Sequence, residues 1–256
     1  MSLDLASLPD WAFAFVLVLG RIGAAMTLLP GLGEASPPAM LRAGLAVGIT
    51  VLLLPGIMPL IPHVPADVPT VAGMIAAEVA TGMWLGWLAR MLVLALPIAG
   101  QFISLMLGVS NVLVTDPEVS GQNSALEQLF SLAAALALLI SGLYVVPLAA
   151  LSGSYNVIAP GTMLPAADST ALAVRAVGQC FALALQLASP FVLATIVWHV
   201  VIGLIARLVP NVPVYFVAMP GQILGGLALL AVLAGALMTT WMNAASAGFA
   251  RLPGIQ

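Results

Sequence analysis

The chain has 256 residues, of which 62% are hydrophobic and only 6% are charged, with a formal net charge of -3 and a mean hydropathy of +1.19. An ordinary soluble domain carries about 25% charged residues, so this composition excludes a water-soluble fold and indicates an all-α, polytopic membrane protein. The basic residues are six arginines, which are too few to form the basic surface that binds nucleic acid.

The start of the chain contains two predicted membrane spans. Because the N-terminus carries acidic residues and no basic residue, the first apolar run, 11–29, is expected to be a retained span rather than a cleaved signal peptide. Its length is close to the ~20 residues that a bilayer core requires, and Arg21 lies at its middle. The second run, 40–61, begins beside Arg42 and ends at a proline-spaced loop, 62–69.

The third apolar run, 71–114, is too long for one span and has no polar loop at its middle. Its strongest break is Pro97, and a proline in a helix interior kinks or ends the helix. We therefore expect either two spans joined by a tight turn or one helix that bends and re-enters. A further span is expected at 125–151, followed by a polar loop at 152–170.

The remaining sequence repeats the pattern of long apolar runs with internal prolines. The run at 171–209 is about two spans long and is interrupted at Pro190, and the run at 214–243 is interrupted at Pro220. These prolines predict helix breaks, and hence about six apolar helical segments that include proline-broken hairpins. The expected organisation is a single helical membrane domain over 1–256, with a core at 11–243 and a short tail at 244–256.

Enzymatic motifs are absent from the sequence. There is no glycine-rich phosphate loop, no HExxH pair and no nucleophile elbow. His63 and His199 are far apart and neither has a partner at metal-ligand spacing, so structural or interfacial roles are expected for both. We therefore expect no catalytic residue, no cofactor and no metal site.

Several charged residues lie within or beside the apolar runs, where charge is costly. Glu78 and Arg90 are twelve residues apart, which is about 18 Å along a straight helix, so each needs a different partner or access to water. Such residues line an aqueous path or a polar subunit interface, or else lie near helix ends and extend to the membrane surface. The candidates for an intramembrane charge or a subunit interface are Arg21, Arg42, Glu78, Arg90 and Arg207.

Glycine pairs spaced four residues apart allow close packing of helices in membranes. The pairs are Gly44/Gly48, Gly82/Gly86 and Gly221/Gly225. A chain with 24 glycines also contains such pairs by chance, so spacing alone does not identify which of them are used.

The stretch 101–123 changes more abruptly from apolar to polar than any other part of the chain. Irregular polar backbone at membrane depth is tolerated only where protein or a water-filled cavity covers it. One interpretation is an ordinary loop between helices, and the other is a bendable segment that closes a conduit and moves aside. The candidate plug residues are Gly108, Val109, Ser110, Asn111, Val112, Leu113, Val114, Thr115, Asp116 and Pro117.

Motifs distributed along the chain resemble the FliR family of flagellar export-gate membrane proteins. The first match starts at Arg21, continues through Pro30 and Pro37–Pro38, and ends in the R-x-x-L-A pattern at 42–46. The second is similar to the family's GE…G…DP block and consists of Gly100, Gly108 and Asp116–Pro117.

A third match, at 203–210, resembles the family's GL-x-x-R-x-x-P pattern and is followed by Met219–Pro220 and Gly225. Two positions depart from the pattern. Gln101 replaces the glutamate expected after Gly100, which removes that charge, and Met219 replaces the usual phenylalanine, which is an apolar exchange of similar size.

The resemblance implies a non-enzymatic subunit of the type III flagellar protein export gate in the bacterial inner membrane, within the flagellar basal body. It implies FliP-like and FliQ-like gate subunits, FlhB-like and FlhA-like export components, unfolded export substrates and membrane lipid as partners. It also implies that the loop from Gly108 to Pro117 plugs the closed gate and that charged residues face neighbouring subunits. The family has an injectisome counterpart, although the match looks closer to the flagellar branch.

A second hypothesis is a small-solute or proton-coupled permease. In that protein Glu78 and Arg90 would serve a substrate or proton path between broken helices. Many permeases are built from internal repeats, and no clean repeat is found in this sequence.

Overall fold

The computed structural model describes residues 8–31, 38–109, 124–209, 211 and 213–255. Within these ranges the chain is helical and contains no β-strand, which confirms the all-α prediction. Among the described residues, five helices are long and apolar enough to cross a membrane, and a sixth span is obtained if the bent pair Ala125–Ser141 and Val145–Val157 counts as one. The helices are α1 Leu8–Leu28, α2 Ala39–Ile57, α3 Val68–Leu107, α4 Ala125–Ser141, α5 Val145–Val157, α6 Ala166–Leu208 and α7 Val214–Phe249, with a 3-10 turn at Met58–Leu60.

The helices form two compact units. Unit 1 consists of Met1–Leu92, Leu138–Val177 and Ser246–Gln256, and unit 2 consists of Val93–Ala137 and Gly178–Ala245. Both units are assembled from separate segments of the chain, so neither is a contiguous sequence module. In unit 1, α1 packs into the interior through the fully buried residues Ala14, Leu17, Val18, Ile22 and Ala25.

Proline does not divide the long helices into hairpins. Pro97 lies inside α3, Pro190 inside α6 and Pro220 inside α7, and each helix continues past its proline. The prediction that these three prolines break their helices is therefore wrong. A proline removes the hydrogen bond to the carbonyl four residues earlier, and an unsatisfied carbonyl is costly in lipid unless another group donates to it.

Side chains supply the missing donor at two of these prolines. Pro97 leaves the Val93 carbonyl without its helical donor, and the indole Nε1 of Trp241 donates to that oxygen at 3.3 Å. Trp241 is fully buried, so its ring also fills the interior of unit 2. This contact explains why α3 persists through Pro97.

The same compensation occurs locally in α6. Pro190 removes the helical donor of the Gln186 carbonyl, and Ser189 Oγ donates to that oxygen at 2.8 Å. A serine hydroxyl is one of the groups that satisfy backbone freed by proline in membrane helices. The helix therefore continues where the Ser-Pro pair predicted an interruption.

The pronounced bend lies at a glycine instead. The axes of α4 and α5 differ by 72° across a short break, and Gly142 within it has φ of +72°, a left-handed conformation that glycine adopts without strain. The segment predicted as a span at 125–151 is therefore bent between its two helices, and the pair is apolar enough to count as one broken span. The predicted loop at 152–170 is also partly helical, because α5 extends to Val157 and α6 begins at Ala166.

Candidate functional site

The interior of unit 1 holds a buried ion pair between α1 and α3. Arg21 Nε donates to Glu78 Oε2 at 2.7 Å and Arg21 Nη2 donates to Glu78 Oε1 at 2.9 Å, and both side chains are 0% exposed. Bidentate pairs of this type combine strong hydrogen bonds with a fixed orientation. It is the only ion pair within the part of the chain that the structure describes.

The remaining donors of the guanidinium group contact α5 and the turn that follows it. Arg21 Nη1 donates to Ser154 Oγ at 3.1 Å and to the Ile158 carbonyl at 3.2 Å, and Nη2 also donates to the Ile158 carbonyl at 3.2 Å. The five N–H groups of arginine thus all have acceptors. The Gly161 amide donates to Glu78 Oε1 at 2.6 Å, so the carboxylate is satisfied by both side chain and backbone.

An aromatic ring covers one face of the guanidinium. Arg21 Cζ lies 4.0 Å from the centroid of the Tyr155 ring, within the range of a cation–π interaction. Tyr155 and Ser154 are both buried. These contacts hold the end of α5, which extends to Val157 and so into the stretch predicted as a polar loop.

Glycine on α3 allows α1 to approach closely enough for the ion pair to form. A Cβ atom at Gly82 would lie 2.0 Å from the Arg21 carbonyl oxygen, and one at Gly86 would lie 2.7 Å from the Ala25 carbonyl oxygen. Glu78 is one helical turn before Gly82 and therefore shares its face. The Gly82/Gly86 pair is thus a close-packing site. In the part of the chain that the structure describes, the Cβ positions of Gly44, Gly48 and Gly225 meet nothing within 4 Å.

This network joins α1, α3 and the end of α5 through buried hydrogen bonds. The last carbonyls of a helix have no intrahelical donor, and Arg21 supplies donors to Ile158 at the end of α5. Because Arg21 and Glu78 are enclosed by their own chain, the expectation that they face a neighbouring subunit or an aqueous path is corrected. The permease hypothesis is weakened for the same reason, since it required an accessible Glu78.

The other predicted intramembrane charges are not brought into this cluster. Arg42 on α2 and Arg90 on α3 are half-buried, and Arg207 near the end of α6 is exposed. Their proposed contacts with neighbouring subunits stay predictions. Among the described residues, no group of three or more histidine, cysteine or acidic side chains could hold a metal ion.

The predicted plug begins where α3 ends. Gly108 follows the last residue of α3, has φ of +74°, and donates its amide hydrogen to the Leu105 carbonyl at 3.2 Å. This is the geometry of a helix terminated by a left-handed glycine. Gly108 and Val109 lie within the described residues, and eight of the candidates lie outside them: Ser110, Asn111, Val112, Leu113, Val114, Thr115, Asp116 and Pro117.

Two residues that the sequence did not single out contact the end of α3. Gln222 Nε2 on α7 donates to the Met106 carbonyl at 2.8 Å, and Thr195 Oγ1 on α6 donates to the same oxygen at 3.3 Å. The available sequence signal was the presence of polar side chains within apolar runs. That signal does not reveal their common acceptor, because Met106 is distant in sequence from both.

Comparison with known proteins places this architecture in an export family. Residues 12–247 match Bacterial export proteins, family 1. The chain is 29% identical over 231 residues to flagellar biosynthetic protein FliR of Caulobacter vibrioides, an alignment that covers 90% of this chain and 92% of that relative.

Two further relatives, from other bacteria, carry the same name. The protein of Bacillus subtilis is 28% identical over 221 residues, covering 85% of this chain and 84% of the relative. The protein of Escherichia coli is 24% identical over 230 residues, covering 88% of this chain and 85% of the relative. The chain therefore belongs to the bacterial export proteins, family 1, the FliR family that its arginine, glycine and proline motifs resemble.

Proposed function

We propose that this multi-pass protein of the bacterial inner membrane is a non-enzymatic subunit of the flagellar type III export gate. The observation that carries the proposal is the match of residues 12–247 to an export family, supported by relatives named for flagellar biosynthesis. The gate contains FliP-like and FliQ-like subunits, acts with FlhB-like and FlhA-like components, and passes unfolded export substrates.

Exposed apolar side chains support a role within a larger membrane assembly. Most side chains in the apolar parts of α6 and α7 are exposed, as are large residues such as Leu204 and Phe216. A bilayer covers such faces with lipid, and close packing of neighbouring helices covers them with protein. We assign part of this surface to the partner subunits and the remainder to membrane lipid.

The segment from Gly108 to Asn123 is proposed to plug the gate when no substrate is present. Its glycine, serine and asparagine content allows bending, and its Val112–Val114 patch provides an apolar seal. The family resemblance implies the same role for Gly108 to Pro117. The end of α3 at Leu107 supplies a defined starting point for this segment.

Affinity purification from mild detergent tests the assembly. We expect the tagged chain to bring FliP-like and FliQ-like proteins into one large particle that mass spectrometry identifies. A tagged, unrelated multi-pass protein from the same membrane serves as the control. Recovery of this chain alone, stable and monodisperse, would overturn the proposal.

Shortening the segment 108–123 tests the plug. The shortened chain should assemble normally but make the membrane leak ions or small solutes. A shortening of the exposed turn at 62–66 by the same number of residues is the matched control and should leave the membrane tight. A fully assembled, tight membrane with the shortened 108–123 segment would contradict plugging.

A further inference from the structure

We infer that Gln222 and Thr195 are positioning residues of the gate, because their hydrogen bonds to the Met106 carbonyl fix the end of α3 from which the plug starts. The inference rests on the proposed function and deepens it by naming what holds the plug's origin in place. It concerns contacts within unit 2, to which α3 after Val93, most of α6 and most of α7 contribute.

The Met106 carbonyl is in the last turn of α3, where carbonyl groups have no intrahelical donor. Gln222 on α7 donates to it at 2.8 Å and Thr195 on α6 at 3.3 Å. All three residues are half-buried, so water competes less with these bonds than it would at an open surface. The helix terminus is thus attached to two other helices at a single oxygen atom.

Side-chain packing reinforces this attachment. Leu107 is 4% exposed, and a Cβ atom at Gly226 would lie 1.9 Å from Leu107 Cδ2. The leucine therefore occupies the space that the absent side chain leaves on α7. Together, Met106 and Leu107 anchor the last turn of α3 through both polar and apolar contacts.

The close packing around Leu107 is not repeated at Gly108, which is still hydrogen-bonded to the Leu105 carbonyl. Among the described residues beyond its chain neighbours, no atom lies within 4 Å of the position that a Cβ atom would occupy at Gly108. The chain turns there in a left-handed conformation, so Met106 and Leu107 fix the point at which the proposed plug segment leaves α3. A shift of the anchored turn would therefore move the origin of the plug.

Thr195 is used differently from other helical threonines in this chain. Thr50, Thr81 and Thr239 donate to carbonyls of their own helices, four residues earlier, which is the common local arrangement. Thr195 instead donates to a residue 89 positions away on another helix. Thr195 on α6 and Gln222 on α7 thus both donate to the Met106 carbonyl of α3. These two bonds hold the end of α3 against other helices, whereas the other threonine bonds only satisfy carbonyls of their own helices.

The decisive experiment compares Gln222→Met and Thr195→Val with matched controls in the purified gate complex. Gln222→Met keeps the side-chain length and removes the donor, and Thr195→Val keeps the shape and removes the hydroxyl. The controls are Gln179→Met, at an exposed position of α6, and Thr239→Val, which loses only a bond within its own helix. Thr195→Ser restores a hydroxyl and serves as the rescue.

Hydrogen exchange followed by mass spectrometry measures how firmly the end of α3 is held. Ion leak through the assembled gate measures whether the plug still closes it. We expect both test variants to assemble, to take up deuterium faster at Gly108 and Val109, and to leak about 3–10-fold more than the parent, as loss of one hydrogen bond permits. The two controls and Thr195→Ser should behave like the parent.

The chain with a shortened 108–123 segment separates the possible failures. If that chain leaks while both test variants assemble with unchanged exchange and leak, the positioning role is wrong and the plug stands. If that chain stays tight, the plug itself is wrong. Failure of Gln222→Met to assemble, with Thr195→Val indistinguishable from the parent, would also overturn the inference, because Gln222 would then be a general stability residue.

Discussion

The indole nitrogen of Trp241 donates a 3.3 Å hydrogen bond to the carbonyl oxygen of Val93, from 148 positions away in the sequence. Pro97 has removed the helical donor that this oxygen would otherwise have. A distant aromatic side chain therefore completes the backbone hydrogen bonding of α3. In a membrane, where water does not replace a lost donor, such compensation decides whether a proline interrupts a helix.

A double-mutant cycle measures the dependence of Pro97 on Trp241. Trp241→Phe should destabilise the protein through both a lost hydrogen bond and lost packing. In a Pro97→Ala background the Val93 carbonyl regains a backbone donor, so the same substitution should cost about 1 kcal/mol less. Thermal unfolding of the four chains in detergent gives the coupling energy.

Trp84→Phe is the matched control for this cycle, because the buried Trp84 Nε1 has no hydrogen-bond partner among the described residues. Its effect should be the same with proline or alanine at position 97. Equal costs of Trp241→Phe in the two backgrounds would show that the indole does not compensate for Pro97.

Substitution of only one member of the buried Arg21–Glu78 pair should strongly lower the free energy of unfolding. Arg21→Met leaves the Glu78 carboxylate without its main partner, and the loss of one member of a buried pair costs about 3–5 kcal/mol. The double variant Arg21→Met, Glu78→Met removes both charges and should be less destabilised than the sum of the single variants. Unfolding in detergent provides the measurement, with exposed Arg175→Met as the control. Additive costs would contradict direct coupling.

The glycine pairs should respond differently to alanine. Gly82→Ala would place a methyl group 2.0 Å from the Arg21 carbonyl oxygen, and forcing helices apart in a packed interior costs about 1–3 kcal/mol. Gly44→Ala meets open space and should be neutral or should stabilise the helix by up to about 1 kcal/mol. The melting temperatures of the two variants test this contrast, and equal shifts would contradict the close contact at Gly82.

The start of α3 should depend on pH through Asp67, which lies in the loop before the helix. Asp67 Oδ2 accepts hydrogen bonds from the Thr70 hydroxyl and from the Thr70 amide at 3.0 Å, and these bonds lower the pKa of the carboxyl from its usual 3.8. The folded state thus favours the ionised form. Its contribution is complete well above pH 3.8 and is lost as the pH falls through the lowered pKa.

Protection of the Thr70 amide from hydrogen exchange, followed in detergent by NMR, should therefore decrease on acidification. After correction for intrinsic exchange, Asp67→Asn should show weaker pH dependence, since asparagine still caps a helix without titrating in this range. An unchanged pH profile in this variant would show that Asp67 is not responsible.

The sequence was sufficient to predict the membrane environment and the helical class, because these follow from composition and local chemistry. The sequence was insufficient where a structural feature depends on contacts between residues that are far apart in the chain. The Gly44/Gly48 and Gly82/Gly86 pairs have the same spacing, yet only the second lies against another helix closely enough to exclude a side chain.

The same limitation applies to the charged residues and the prolines. Spacing showed that Glu78 needed a partner other than Arg90 but did not identify Arg21, which is 57 positions away. Local chemistry also predicted a break at Pro97, because the compensating Trp241 lies on another helix. Three-dimensional contacts decide such cases, and one sequence does not contain them explicitly.

The separation of Arg21 from its partners has a consequence for biosynthesis. Arg21 leaves the ribosome 57 residues before Glu78 and 133 residues before Ser154. At a synthesis rate of about 5–20 residues per second, Glu78 is synthesised roughly 3–11 s after Arg21. Until Glu78 is available, the charge of Arg21 at the middle of the first span has no carboxylate partner. We therefore expect the insertion machinery to shield α1 from lipid until α3 has been inserted.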